Sequence, residues 1–271
     1  VPKGAVARSP EQAEAISRDL GGSVMVKVQA WTTGRAAAGG IAKASTAAEA
    51  RDHAARMLAM TFGQFPVTEV LIEQRVAIAR EFFVSFAIDE RERAPVLLLS
   101  AVGGSGVEER AASTRRIPCH VANGPDPAVL REAVAALSVE ISASQVESAI
   151  RTLFEVARKV DARSLEINPL VLTEDGRVLA ADCRMTIDDY AVARRPELGI
   201  AIARELDHPP TLLERIAYQA EQDDHRGTFF FAQMNTEAPA NSRGLIGFHG
   251  AVGGGSMMSI DAINAEGFTP A

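Results

Sequence analysis

Two mainly apolar runs, one beginning at Glu166-Ile167-Asn168-Pro169-Leu170 and the other ending at Ala181-Asp182-Cys183-Arg184, flank the turn Thr173-Glu174-Asp175-Gly176. Their pattern predicts a β-hairpin, and Gly at the third loop position suits a type I turn closed by a G1 bulge. If Thr173 pairs with Arg177, the same alignment sets Leu170 opposite Ala180, Asn168 opposite Asp182 and Glu166 opposite Arg184. Side chains alternate along a strand, so the four polar groups share one face, with Leu170 and Ala180 on that face between them and the turn. Further strands are expected near 23–30, 67–74, 81–89 and 95–101, with Asp89 to Arg93 as a charged turn. Ser9-Pro10-Glu11-Gln12 supplies an N-cap, a Pro at the first helical position and a capping-box Gln, and Gly21-Gly22 ends that helix. Thr46-Ala47-Ala48-Glu49 opens a second helix, predicted to run to about Phe62, and helical periodicity covers Ser144 to Val160. Helices on sheets with antiparallel hairpins give an α+β chain, as two lobes with a cleft require. Pro196, Pro209 and Pro210 mark a break beyond the hairpin, and Pro239 to Arg243 forms a polar loop.

The polar face of the hairpin has two readings. Polar positions at a wet sheet edge need no function. A side-chain carbonyl facing a carboxylate is also a pair of hard oxygens, suited to a Mg²⁺ ion that keeps several waters and binds nucleotide phosphates. Lys27 is similarly double: the one cation of Ser23-Val24-Met25-Val26-Lys27-Val28-Gln29-Ala30, it either reaches water along its own stem or offers a point charge to a phosphate.

Composition narrows the class without choosing within it. At 271 residues, 47% hydrophobic and 23% charged, the chain has enough apolar material for a core. A net charge of −7 and no basic run interleaved with aromatics speak against nucleic acid as partner. The two cysteines, Cys119 and Cys183, support no disulfide framework, and there is no apolar run of membrane-spanning length and no leader pattern. A cytoplasmic location is expected, with no membrane partner. His53, His120, His208 and His225 lack metal-ligand spacing, and Ser100 and Ser105 lack a nucleophile-elbow context.

After the Lys27 strand comes Thr32-Thr33-Gly34-Arg35-Ala36-Ala37-Ala38-Gly39-Gly40-Ile41, then Val70-Leu71-Ile72-Glu73-Gln74, then Arg80-Glu81-Phe82-Phe83-Val84-Ser85-Phe86-Ala87-Ile88-Asp89, and finally the hairpin. In this order the pieces resemble the nucleotide-binding beta subunit of succinyl-CoA synthetase, an ATP-grasp protein among the ADP-forming acyl-CoA synthetases. The resemblance runs over nearly the whole chain, and Pro95 to Gly104 followed by Val107-Glu108-Glu109 matches it more loosely. It implies an ATP-grasp domain at residues 1–204, lacking the family's opening helix, and the start of a CoA-ligase-type α/β domain at 205–271.

Site roles follow from the same resemblance. Lys27, Gly34, Arg35 and Ala36 would lie on the nucleotide's phosphates, with Glu73 beside the adenine, Glu81 at the ribose and Val76 close by. Asn168 and Asp182 would hold Mg²⁺, and Glu166 would face the histidine that receives the phosphoryl group. That histidine and the CoA site belong to a partner alpha subunit, and the remaining substrates are ATP and a small carboxylic acid. The implied function is an ATP-dependent acid–thiol ligase, ADP-forming. A regulatory subunit without turnover and another ATP-grasp carboxylate ligase are the alternatives.

Departures from the family pattern bear on these roles. The family's Gly-Arg-Gly-Lys reads Gly34-Arg35-Ala36-Ala37, losing one flexible glycine and one cation. Alanine resists positive φ, which narrows what this loop can do, and Lys43 is the next cation downstream. Gly247-Phe248-His249-Gly250-Ala251-Val252-Gly253-Gly254-Gly255-Ser256-Met257-Met258 stands where the family has Asn-Gly-Ala-Gly, a turn into a helix that helps bind the acid. It has no Asn there, which argues against assuming succinate. His249 falls in this turn, not in the context of the family's phosphohistidine.

Overall fold

The computed structural model describes residues 1–30, 34–104, 114–139, 142–202, 204, 208–250 and 253–271. Thr32, Thr33, Ser105, Val107, Glu108, Glu109, Ala251 and Val252, named above, lie outside the described residues. The chain divides into two compact units, Val1–Ala203 and Arg204–Ala271.

The first unit begins with β1 (Gly4–Ala7), α1 (Pro10–Asp19), β2 (Val24–Val28), β3 (Ile41–Ala44) and α2 (Ala47–Leu58). A short hairpin, β4 (Thr61–Phe62) and β5 (Phe65–Pro66), leads to β6 (Val70–Gln74). Among the described residues, four of these strands form a sheet in the order β1-β6-β2-β3. The caps act as the sequence indicates: the Ser9 hydroxyl accepts from Gln12 N–H at 3.2 Å and that of Thr46 from Glu49 N–H at 3.1 Å. Gly21 and Gly22 both take positive φ at the end of α1. The second helix stops at Leu58, short of the expected Phe62, because Phe62 pairs with Phe65 across Gly63, itself at φ 59°. Val24, Val26, Val28, Val70 and Ile72 point to one face and are fully buried with Ala13, Ala50, Ala54 and Met57 of the helices. The opposite face of β2 and β6 carries Lys27 and Glu73.

The second sheet holds β7 (Ile78–Asp89), β8 (Ala94–Ser100), β9 (Arg115–His120), β10 (Gly124–Pro125), β11 (Ala162–Thr173), β12 (Val178–Ala180) and β13 (Cys183–Ile187). Its order is β10-β9-β8-β7-β11-β12, with β13 also on β11. Helices α3 (Pro127–Ala135) and α4 (Ala143–Lys159) close a separate apolar core over it, built around Phe82, Leu97, Ile117, Leu130, Ile150 and Leu165.

The hairpin follows the predicted register: Leu170 pairs with Ala180, Ile167 with Cys183 and Glu166 with Arg184. Thr173 N–H donates to Arg177 O at 2.9 Å and Gly176 stands at φ 82°, as the bulged turn requires. One expectation fails. Leu170 does not share a face with Glu166 and Asn168; it is buried in the core beside Leu165. The pairing of β11 with β7 shifts between Ile167 and Leu170, so an extra residue at Asn168-Pro169 changes which side chains face inward. Core-facing positions are Leu165 and Ile167 before this bulge and Leu170 and Leu172 after it.

The second unit contains α5 (Leu212–Asp223), the parallel pair β14 (Leu245–Ile246) and β15 (Thr269–Pro270), and α6 (Gly254–Ala265). The Gly-rich segment enters α6 at Gly253, φ 104°, a conformation open to glycine.

Candidate active site

Lys27 is the penultimate residue of β2, where its neighbour across β6 is Leu71 and the next same-face position is Glu73. Its ammonium pairs with the Glu73 carboxylate and donates to Ala181 O at 2.8 Å. Both side chains are buried, Lys27 at 8% and Glu73 at 5% exposure, so neither charge is answered mainly by water. The hydrogen bond to Ala181 ties the four-stranded sheet to the loop between β12 and β13.

The next residue of that loop meets the second cation. Arg35 Nη2 lies 2.6 Å from Asp182 Oδ2, and Arg35 Nη1 donates to Val28 O at 3.0 Å. The loop carrying Arg35 closes on itself: Ala38 N–H donates to Gly34 O at 3.1 Å and Gly40 N–H to Arg35 O at 2.7 Å. Positive φ falls on Gly34 (73°) and Gly39 (76°), whereas Ala36 and Ala37 keep ordinary backbone. The glycine lost at position 36 is therefore not one this loop conformation needs. Gly34 and Ala36 themselves are exposed.

Asn168 sits on the hairpin opposite Asp182, whose carbonyl accepts from Asn168 N–H at 3.2 Å. The Asn168 side-chain oxygen accepts from Gly104 N–H at 2.7 Å. That contact depends on the Gly103-Gly104 turn after β8. A Cβ at Gly103 would lie 2.6 Å from Phe82 O, and one at Gly104, where φ is 84°, would lie 3.0 Å from Glu81 Oε2. Glu81 is thereby placed beside the same turn, and its carbonyl accepts from Gly103 N–H at 3.1 Å. Glu166, half-buried, stands opposite both Arg184 and Ser85. Cys183 beside it is exposed; its thiol is pushed up by partial burial and then by the Asp182 and Glu166 carboxylates.

The structure thus brings together Lys27, Glu73, Arg35 and Asp182, and links Asn168 to the Gly104 turn beside Glu81. Val76 is half-buried in the link between β6 and β7. Sequence reasoning missed the Ala181 carbonyl, which carries no side-chain signal, and the amide of Gly104. The Gly103-Gly104 pair was the available clue to the latter.

As a donor set for Mg²⁺, Asn168 Oδ1 and the Asp182 carboxylate fit. Both are hard oxygens, and each retains lone pairs beyond its present hydrogen bonds. No cluster of three or more His, Cys, Asp or Glu that could hold a metal is present among the described residues. A dication here therefore relies on waters and on phosphate oxygens as well.

A family profile described as an ATP-grasp domain matches residues 1–172, the stretch that holds the first sheet, most of the second, the Lys27–Glu73 pair and Arg35. The chain is 33% identical over its full length to the succinate–CoA ligase (GDP-forming) subunit beta of Thermus thermophilus, covering 68% of that protein. It is 35% identical, again over its full length, to the succinate–CoA ligase (ADP-forming) subunit beta 1 of Archaeoglobus fulgidus, covering 67% of it. The chain belongs to the ATP-grasp family, in the group formed by the beta subunits of succinate–CoA ligase. It spans about two thirds of the length of these relatives. Among solved structures, ATP citrate lyase from Methanothrix soehngenii, in complex with citrate and coenzyme A, shares the fold at a TM-score of 0.64 and 17% identity, over 97% of this chain and 62% of that one.

Proposed function

We propose that the chain is the nucleotide-binding part of an ADP-forming carboxylic acid–CoA ligase, with residues 1–204 as its ATP-grasp domain and 205–271 as the start of a CoA-ligase-type domain. The γ-phosphate of ATP passes to a histidine of a partner alpha subunit, which also carries the CoA site. A small carboxylic acid is the second substrate. The observation that carries this reading is the convergence of Lys27, Arg35 and Asp182, from separate strands and loops, on one network that also holds Glu73.

Each residue then has a physical task. Lys27, fixed by Glu73 and Ala181 O, offers an immobile positive charge to the phosphates. Arg35 adds a planar fork from a loop. Asn168, steadied by the Gly104 amide, and Asp182 would hold Mg²⁺, which when bound neutralises phosphate charge. Glu73 borders the adenine, Val76 lies near the nucleotide, Glu81 is at the ribose, and Gly34 and Ala36 belong to the loop over the phosphates. Glu166 faces the incoming histidine as its hydrogen-bond partner or base. The protein's part is positioning and charge neutralisation more than covalent chemistry. Among the described residues no helix is long and apolar enough to cross a membrane; the proposed site of action is the cytoplasm.

Calorimetry with ATP and Mg²⁺ tests the binding half. Lys27→Ala and Asp182→Ala should each weaken affinity about tenfold or more, and unchanged affinity in both would place the nucleotide elsewhere. With the alpha subunit and radiolabelled ATP, Glu166→Gln should leave ATP binding intact and slow histidine labelling by about 10²- to 10⁴-fold.

A further inference from the structure

Two cations enter the candidate site, and they are held in different ways. Lys27 is a strand residue with its ammonium locked between a buried carboxylate and a carbonyl. Arg35 belongs to a loop bounded by Gly34 and Gly39, and its partner is the carboxylate of Asp182, at 2.6 Å. Asp182 is also the residue assigned to the metal in the proposed function, on which the following inference rests. A guanidinium and a dication on one carboxylate repel each other strongly at such distances, and Asp182 Oδ1 is already engaged by Cys183 N–H at 3.0 Å.

We infer that Arg35 is an exchangeable partner of Asp182. It holds the carboxylate until a divalent cation takes it, and is then released toward the nucleotide's phosphates. The exchange makes metal and nucleotide binding mutually favourable. Metal frees the arginine that the polyphosphate needs, and a polyphosphate that draws the arginine away opens the carboxylate to the metal. By linkage each ligand strengthens the other by the same factor. Motion is confined to a loop whose two glycines already use conformations open to few other residues. The anchor from Arg35 Nη1 to Val28 O shows what else must break for the side chain to leave.

Two measurements on the full chain test the exchange. In the first, Mn²⁺ is titrated without nucleotide and followed by electron paramagnetic resonance. Arg35→Gln should bind Mn²⁺ about fivefold more tightly than the unmodified chain, and Arg35→Lys should fall between them. In the second, ATP is titrated in EDTA. Asp182→Asn, which loosens Arg35 without any metal, should bind metal-free ATP about threefold more tightly, whereas Arg35→Gln should not. If Asp182→Asn lowers Mn²⁺ affinity but Arg35→Gln leaves it unchanged, the exchange is wrong and the metal site stands. If Asp182→Asn leaves Mn²⁺ affinity unchanged, the metal assignment fails and takes the exchange with it. Circular dichroism of each variant separates these outcomes from misfolding, and the Asp182→Asn measurement stands independently of how well Arg35→Gln folds.

Discussion

Lys27 and Glu73 place opposite charges where water hardly reaches, and each is tolerated because the other is there. Removing one partner of such a pair leaves the other desolvated and unanswered. Glu73→Gln should therefore cost about 3 kcal/mol of stability in urea unfolding. The double variant Lys27→Met/Glu73→Leu should recover much of that loss, since apolar groups of similar size often replace a buried ion pair without penalty. It should not recover ATP binding. A double variant that bound ATP normally would show that the pair serves the fold and not the nucleotide. The sequence marked Lys27 as anomalous because a cation stood inside an apolar strand. It gave no hint of Glu73 as its partner, because that pairing is a diagonal across two strands separated by more than forty residues.

At the scale of elements, the turn after β8 and the bulge in β11 bring Asn168 and the Gly104 amide together. Gly103 has no room for a side chain, with Phe82 O at 2.6 Å from the position of a Cβ. Gly103→Ala should cost about 2 kcal/mol or more in thermal unfolding and displace the Gly104 amide, weakening Mg²⁺-dependent nucleotide binding as well. In the second unit, α5 opens with a capping box in which Thr211 and Glu214 satisfy each other's backbone N–H groups. Burial pushes the Glu214 carboxyl up, but donors from the Thr211 and Gln233 backbones, with His208 nearby, outweigh it and hold it below the ordinary carboxylate range. A depressed folded value means that this contribution is complete above the unfolded value, about 4.3, and is lost as pH falls through the folded one. Glu214→Gln should thus be less stable at neutral pH and show a flatter loss of stability on acidification, followed by thermal melts between pH 7 and pH 3. Local chemistry made α1, α2 and the hairpin register legible, since caps and a glycine turn act within a few residues, and α4 was legible from its helical periodicity. The inward turn of Leu170 was not legible: alternation along the hairpin alone cannot report a bulge whose cause is pairing with β7, more than eighty residues earlier in the chain. Strand β9 and helix α3 went unpredicted because Pro118 interrupts the first and the second is only nine residues long.

Across the whole molecule, every residue assigned to nucleotide or metal lies in the unit Val1–Ala203. A fragment ending at Ala203 should therefore bind ATP and Mg²⁺ within about threefold of the full chain, and a loss of tenfold or more by calorimetry would give the second unit a share in the site. Within the first unit, the two sheets bury separate apolar clusters, one on α1 and α2 and the other on α3 and α4. The Lys27 bond to Ala181 O and the Arg35 pair with Asp182 are polar fastenings between halves that each have a core of their own. Such fastenings decide whether the halves melt together. With Lys27→Met and Arg35→Gln combined, a single sharp unfolding transition should broaden or split in two, and calorimetric enthalpy should exceed the van't Hoff value. Lys27 and Arg35 would then serve cooperativity as well as the proposed site, because the bonds they make are also what couples one half of the unit to the other.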